Sequence, residues 1–427
     1  MKAIARPSDC DKSGFDIVIG NPPYVSHDNI PSIIPCKSFE CFEAFADIYC
    51  YFYEIGLKAL SAKGILCFIT SNSFLRANYG LPLRGYIHEH FDVLQLIDIE
   101  GTQIFGAAIV NTVIALLTKS RTDGKAIIVN EHWGMTTLTD FIKSNRFVYE
   151  QSDFAMQPWT LVSPHKLCLR RKIEKAGNTL EELGAKIRLG LATGDNKAFI
   201  LDEQKRKKLI EKDDNNAYLI KPVIRGQDIM RYTHIAPQYI LLTKNDVDVQ
   251  KDYPVIYEYL DSFGDKFKNR GAKGRHWTNL RACAFFDDFK KEKIIWIELT
   301  DNGRFSYSNT EEYLLNSAYF LIPPTQIDAK YLLGLLNSSV IRFHIRQIAA
   351  TSGMGTLRWI NNYVKQIPIP IADQSIQSRI VSLVEAILKI KAEDRFTDTS
   401  HLEYDIDCLF YEIFSLTKED VKIVESN

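Results

Sequence analysis

The sequence predicts an α/β chain: a partial doubly wound sheet followed by an α+β region with C-terminal helices. Three observations carry this. Apolar runs of strand length alternate with amphipathic stretches over the first ~120 residues, the rhythm of a doubly wound sheet. From about residue 180 that rhythm gives way to short strands and polar loops. Residues 375–391 and 402–414 then return to helical spacing of apolar side chains.

Taken in order, Phe15-Asp16-Ile17-Val18-Ile19-Gly20 is a nearly continuous apolar run, as expected for a strand buried on both faces. Residues 43–62 place Phe45, Ile48, Tyr49, Phe52, Ile55, Ala59 and Leu60 at helical spacing. Residues 64–70 read as a second buried strand, 80–90 as a helix, 93–99 as a third strand and 111–119 as a fourth. The expected organisation is a sheet domain over 1–125, a transition segment over 126–180 and a second domain over 181–427. Within the second domain, 221–226 and 293–299 read as strands. Residues 329–345 read as one amphipathic helix with Leu332, Leu333, Leu336, Val340 and Phe343 on its inner face.

Composition narrows the function classes. The 427 residues are 46% hydrophobic and 25% charged, an ordinary globular balance. A net charge of −1 gives no global pull toward nucleic acid, so any such binding rests on local basic patches. None of the eight cysteines forms a Cys-x-x-Cys pair, and Cys36 with Cys41 has no second pair at metal-ligand spacing, so no metal site is expected. Reduced thiols and a polar, mixed N-terminal stretch fit a cytoplasmic protein, and no apolar run reaches membrane-spanning length.

Asn21-Pro22-Pro23-Tyr24 closes the first strand. Under the switch-point rule, ligands bind beyond the C-terminal ends of such strands. A Pro-rich turn is the ordinary reading of this stretch, but an amide, two prolines and an aromatic also suit a pocket for a planar base with an exocyclic amine. Asn21 offers a side-chain carbonyl acceptor. Pro22 and Pro23 have no N–H and a fixed φ, so they hold the Pro22 carbonyl in a stiff turn. Tyr24 offers a ring face on which a base stacks.

On these residues the chain resembles the gamma-type adenine-N6 DNA methyltransferases with a TaqI-like C-terminal target-recognition domain, the methylase family of type IIG restriction–modification proteins. The segment from Phe15 to Val25 looks like the catalytic motif, and residues 60–75 with Leu83-Arg84-Gly85-Tyr86 look like the strand and loop that follow. Ile104-Phe105-Gly106 with Asn111-Thr112-Val113-Ile114 resembles the motif that supplies a second base-stacking aromatic. Leu335-Leu336-Asn337-Ser338-Ser339 and residues 363–370 resemble signature segments of the recognition domain. The resemblance implies transfer of a methyl group from S-adenosylmethionine to an adenine flipped out of double-stranded DNA, with Asn21, Pro22 and Tyr24 catalytic and Tyr24 and Phe105 stacking. Phe105 also reads as an ordinary core aromatic. Asp16 reads either as a paired core residue or as a cofactor contact, and both readings stay open.

DNA contacts are expected from loops dense in basic residues. Lys266, Lys268, Arg270, Lys273 and Arg275 interleave with glycines and end at Trp277, while Arg342, Arg346 and Arg358 flank the segment 351–355. The run Lys205-Arg206-Lys207-Lys208 reads as a solvated helix face.

The resemblance also sets an expectation of incompleteness. A full enzyme of this kind carries, ahead of the motif strand, a strand with a Gly-rich turn that holds the methyl donor. Only fourteen residues precede Phe15, and Gly353-Met354-Gly355 does not follow a strand and open a helix as that turn must. The donor-binding half is therefore expected to lie outside the chain, leaving the first strand as an unpaired apolar edge. That predicts a second polypeptide supplying the missing half. The alternatives are a non-catalytic DNA-recognition subunit and an inactive remnant.

Overall fold

The computed structural model describes residues 14–99, 111–120, 124–130, 133–134, 136–349 and 356–426. The chain divides into two compact units, 1–169 and 170–427. Most of the expected transition segment thus belongs to the first unit, because residues 126–149 add two strands and a helix to its sheet.

The first unit is built on β1 (Phe15–Gly20), α1 (Tyr49–Lys58), β2 (Leu60–Ser71), α2 (Leu81–His90), β3 (Asp92–Asp98), β4 (Thr112–Thr118), β5 (Ala126–Asn130), α3 (Leu138–Asn145) and β6 (Phe147–Tyr149). The sheet order is β1-β2-β4-β3-β5-β6. β1, β2, β3 and β5 run one way, while β4 and β6 oppose them. α1 is shorter than its apolar spacing suggests. Residues 43–48 are held in turns instead, where the Ile48 N–H donates to the Val25 carbonyl and the Asp47 carboxylate accepts from the His27 N–H.

Strand periodicity sorts the side chains onto two faces. Val18, Leu66, Phe68, Ala115 and Leu96 share one face and pack under α1 and α2 with Tyr49, Tyr53, Leu57, Leu83 and Ile87. Among the described residues the opposite face is covered at its far end, where α3 sets Phe141 on Ile97 and Val129. At the near end Ile17 is 61% exposed and Ile19 58%, beside their register partners Ile65 and Cys67 on β2. The expected burial of the first strand on both faces therefore holds only on the face of Val18. β1 pairs with β2 alone and is an edge strand among the described residues. Gly14 opens β1 at φ +118, where a side chain would meet the Leu60 and Ser61 backbone.

The second unit contains two four-stranded sheets. One runs Tyr313–Leu314, Ile220–Ile224, Gln238–Leu241 and Ile200–Leu201; the other runs Phe305–Ser308, Lys293–Ile297, Ala318–Ile322 and Lys186–Leu189. Phe199, Val223, Ile240, Phe289, Ile295 and Phe320 fill a shared core. The helix Ala329–Asn337 packs against Gln374–Glu393, whose side chains Ile380 and Val384 approach Gly334 closely. The single helix expected over 329–345 is two, Ala329–Asn337 and Ser339–Ile348. Ser338 is extended and its hydroxyl caps the second helix through the Ile341 N–H, while Asn337 is turned to bond the Phe305 backbone twice. Lys205, Arg206, Lys207 and Lys208 lie on the helix Glu203–Lys212, with Arg206 and Lys207 ion-paired to Glu203.

Candidate functional site

Asn21 to Tyr24 leave the C-terminal end of β1 as an extended turn. Pro22 is buried and anchors it, while Asn21 and Pro23 are exposed. No hydrogen bond of the Asn21 carboxamide is seen among the described residues, so its acceptor faces solvent. Tyr24 is 37% exposed and its hydroxyl donates to the Ile69 carbonyl at 3.4 Å, which ties the ring to β2. Burial pushes the Tyr24 phenol above its usual 10, so at neutral pH the ring is an uncharged stacking surface.

The next strand supplies the adjacent wall. Ser71 ends β2 and its hydroxyl accepts from the Ser73 N–H, capping a short turn over Asn72–Leu75. The Asn72 carboxamide donates to both carboxylate oxygens of Asp98, at 3.0 and 3.3 Å, and the Asn72 N–H donates to the Asn111 carbonyl at 2.9 Å. Asp98 is fully buried at the C-terminal end of β3. With β2 beside β1 and β4 lying between β2 and β3, Asn21, Asn72 and Asp98 sit along one end of the sheet. The Asn72–Asp98 pair was not anticipated from sequence. Its only signal is a polar residue closing each of two apolar strands. Phe105, with Ile104 and Gly106, lies outside the described residues. The backbone on either side of that segment is joined at this end of the sheet, through Ile99 N–H to the Thr112 carbonyl at 3.0 Å.

Asp16 stands at the other end of β1, exposed, and accepts from the Ser61 hydroxyl at 3.3 Å. Five residue steps along the strand separate it from Asn21, roughly 16 Å. Ligands collect at the C-terminal ends of strands in such sheets, so we assign Asp16 no cofactor contact.

In the second unit, the segment expected to comb DNA phosphates is largely folded onto itself. The Arg270 guanidinium donates to the carbonyls of Phe267 (3.2 Å), Trp277 (2.7 Å) and Asn279 (2.8 Å). It also lies 4.2 Å over the Phe267 ring and 4.9 Å over Phe199. Lys268 pairs with Asp261 at 2.6 Å and sits over Trp277, and the Lys273 ammonium donates to the Lys268 carbonyl at 3.0 Å. Trp277 packs against Tyr257 and Phe267. Arg270, Lys268, Lys273 and Trp277 therefore brace the loop. The Arg270 guanidinium and the Trp277 ring are engaged inside the fold, whereas Lys273 is exposed and Lys268 only half-buried at the loop surface. Lys266 and Arg275 stay exposed, Arg275 beside a polar cavity of about 430 Å³ lined also by Asn245, Gln250 and His276.

Two of the other expected basic residues, Arg346 and Arg358, meet the loop 298–304. Arg346 donates to the Asp301 carbonyl at 3.5 Å, and Arg358 meets the Glu298 carboxylate at 3.3 Å. Arg231 bonds Glu403 and reaches the Gly303 carbonyl at 3.4 Å, while Arg304 is exposed on the loop itself. Arg342, one helical turn before Arg346, is half-buried against the Ser339 hydroxyl and the charge of Asp407. Arg231, Arg304 and Glu298 were missed in the sequence because none stands in a basic run.

A mostly parallel sheet with an Asn-Pro-Pro-Tyr turn at a strand's C-terminal end, followed by a separate unit built on two four-stranded sheets with helices, defines a methyltransferase-type α/β fold with an appended domain. The solved structure of the type IIL restriction–modification enzyme MmeI in complex with DNA has this fold, with a TM-score of 0.64 at 12% identity over 96% of this chain and 56% of that one. Residues 3–105 match the Eco57I restriction-modification methylase family and residues 221–369 the TaqI-like C-terminal specificity domain. The two matched stretches are thus similar to a restriction–modification methylase and to a TaqI-like C-terminal specificity domain. Among curated relatives it is 26% identical to the type II methyltransferase M.XhoI of Xanthomonas vasicola, over 83% of this chain and 68% of that one. It is likewise 26% identical to M.PaeR7I of Pseudomonas aeruginosa, over 83% of this chain and 64% of that one. The chain thus spans about two thirds of the length of these relatives. No described helix is long and apolar enough to cross a membrane.

Proposed function

We propose that the chain is the catalytic-plus-recognition portion of a site-specific DNA adenine-N6 methyltransferase in a restriction–modification system. The observation that carries this is the turn after β1, where an exposed amide with no partner among the described residues stands beside a tethered tyrosine ring. Adenine N6 is a poor nucleophile because its lone pair is delocalised into the ring. The Asn21 side-chain oxygen and the Pro22 carbonyl accept from the two N6–H groups and turn the lone pair out of the ring plane, while Tyr24 stacks on the base. Stacking of this kind contributes about 1–3 kcal/mol per base. The base leaves the duplex first, since N6 is out of reach in the stack, and the rest is orientation. S-adenosylmethionine, when bound, supplies an electrophilic methyl group. Phe105 is proposed as the second face of the stack, and Asn72 with Asp98 holds the wall next to Asn21.

The open edge of β1 and the bare face at Ile17 and Ile19 support a further part of the reading. A second polypeptide pairs with β1, covers that face and holds the donor. The same open edge also favours a second reading, a DNA-recognition subunit without catalysis of its own. Methylome sequencing of cells with and without the gene, repeated with Asn21→Ala, separates these. Loss of N6-methyladenine at one sequence in both comparisons, with DNA binding by the variant intact, supports the first. A different modified base, or full methylation by Asn21→Ala, refutes it. Micromolar binding of S-adenosylmethionine by the purified chain alone overturns the second polypeptide.

A further inference from the structure

The strand Lys293–Ile297 continues past its last residue in a short bridge to the segment before residue 360. The Thr300 N–H donates to the Leu357 carbonyl at 3.2 Å and the Trp359 N–H to the Glu298 carbonyl at 2.7 Å, which sets Leu299 directly opposite Arg358. This is a non-hydrogen-bonded antiparallel pair, the closer kind, with both side chains on one face. The base under it is rigid. Trp296 and Trp359 are fully buried, the Trp296 indole donates to the Trp359 carbonyl at 2.7 Å, and the Trp359 indole donates to the Thr300 carbonyl at 2.9 Å. The face above it is open: the Arg358 side chain is 44% exposed, Glu298 25% and Leu299 43%.

An exposed ion pair with one 3.3 Å contact contributes little to stability, about 0–1 kcal/mol. Two buried tryptophans beneath such a pair fix its position. A carboxylate is repelled by DNA phosphates, so this spot does not suit the backbone. It does suit base edges, where a guanidinium bonds guanine O6 and N7 and a carboxylate accepts from the cytosine amine. Arg304 and Arg346, on the same loop and beside it, are placed for the phosphates that fix register.

We propose that Glu298 and Arg358 read one G·C pair in the major groove of the target site, with Leu299 as the apolar contact beside them. The inference rests on the DNA-recognition reading above. Selection from randomised duplexes with the full chain tests it, comparing the unaltered protein with Arg358→Ala, the near-isosteric Glu298→Gln and Arg346→Ala. The expected result is a motif containing a G·C pair whose discrimination falls roughly 5- to 150-fold in both Arg358→Ala and Glu298→Gln, while Arg346→Ala binds more weakly to an unchanged motif. The inference is overturned if both pocket variants keep every position, if they relax different positions, or if the position they relax is an A·T pair. If the unaltered chain enriches no motif, the DNA-recognition reading falls first.

Discussion

Replacing both Ile17 and Ile19 by serine should cost the isolated chain only about 1–2 kcal/mol and weaken its union with a donor-binding partner more than that. Burying a whole isoleucine side chain contributes about 1.5–3 kcal/mol. At 61% and 58% exposure, more than half of that remains unrealised at each position. Covering this face then adds about 1–2 kcal/mol per residue, and the double variant loses about 2–4 kcal/mol of docking, roughly 30- to 1000-fold in affinity. The control is Leu66→Ala, on the neighbouring strand but on the covered face, where Leu66 is fully buried. A leucine truncated there costs about 2–5 kcal/mol of folding stability, against about 1–2 kcal/mol for the two exposed isoleucines together. Urea unfolding of the purified chain, followed by far-ultraviolet circular dichroism, gives the two stabilities. Sedimentation velocity gives a second readout, since an uncovered apolar edge promotes self-association that the serine variant should reduce. If Ile17→Ser/Ile19→Ser lowers the urea midpoint as far as Leu66→Ala does, that face is covered in the isolated chain and the reasoning fails.

Other consequences follow from the second unit. Arg270→Ala should cost about 2–4 kcal/mol of stability, because three backbone carbonyls lose their donor and two rings lose their cation; a DNA-affinity defect without a stability loss would instead place Arg270 at the phosphates. Arg346→Ala should change stability by no more than about 0.5 kcal/mol and reduce the slope of log affinity against log salt by about one, measured by fluorescence anisotropy at several salt concentrations. Glu312 bonds His234 at 3.1 Å and the Ser308 hydroxyl at 2.6 Å. Burial opposes its charge, but these partners outweigh burial and hold the carboxyl at about 2, below its usual 4.5. A carboxyl depressed in the fold stabilises above its unfolded value and loses that contribution as pH falls. Glu312→Gln should therefore flatten the decline in stability between pH 4.5 and about 2 and leave little pH dependence to remove above it, as read from thermal midpoints.

Local features were the most legible in the sequence. β3, β4 and α2 fall within a residue or so of the spans their periodicity suggests, since each pattern is decided by side chains a few positions apart. The break at Ser338 is not legible in the sequence because buried apolar residues follow one another through both helices, so the apolar spacing runs on while the backbone does not. Arg270 was misjudged for a longer-range reason. A guanidinium in a basic run looks solvent-bound until the fold brings Phe199 from seventy residues away and the Trp277 and Asn279 carbonyls around it. Asn72 and Asp98 find each other across twenty-six residues and an intervening strand, a pairing that depends on sheet order and on nothing local.

The same distinction bears on the motif itself. The residue types of Asn21, Pro22 and Tyr24 specify what the turn is proposed to grip, and β1 and β2 present it, since Tyr24 is tethered to β2 and Pro22 is buried. On the proposed function, methyl transfer also needs an electrophile aligned with the gripped amine, and its proposed source is the side of β1 where no described strand pairs. The proposed function therefore predicts that base capture and catalysis are separable. Duplexes with 2-aminopurine at the target adenine should brighten on binding the chain without any donor, and Tyr24→Ala should lose that brightening while keeping DNA affinity within a few-fold. A chain that binds its site with no fluorescence change would mean that the turn after β1 does not hold a flipped base until the far side of the strand is filled.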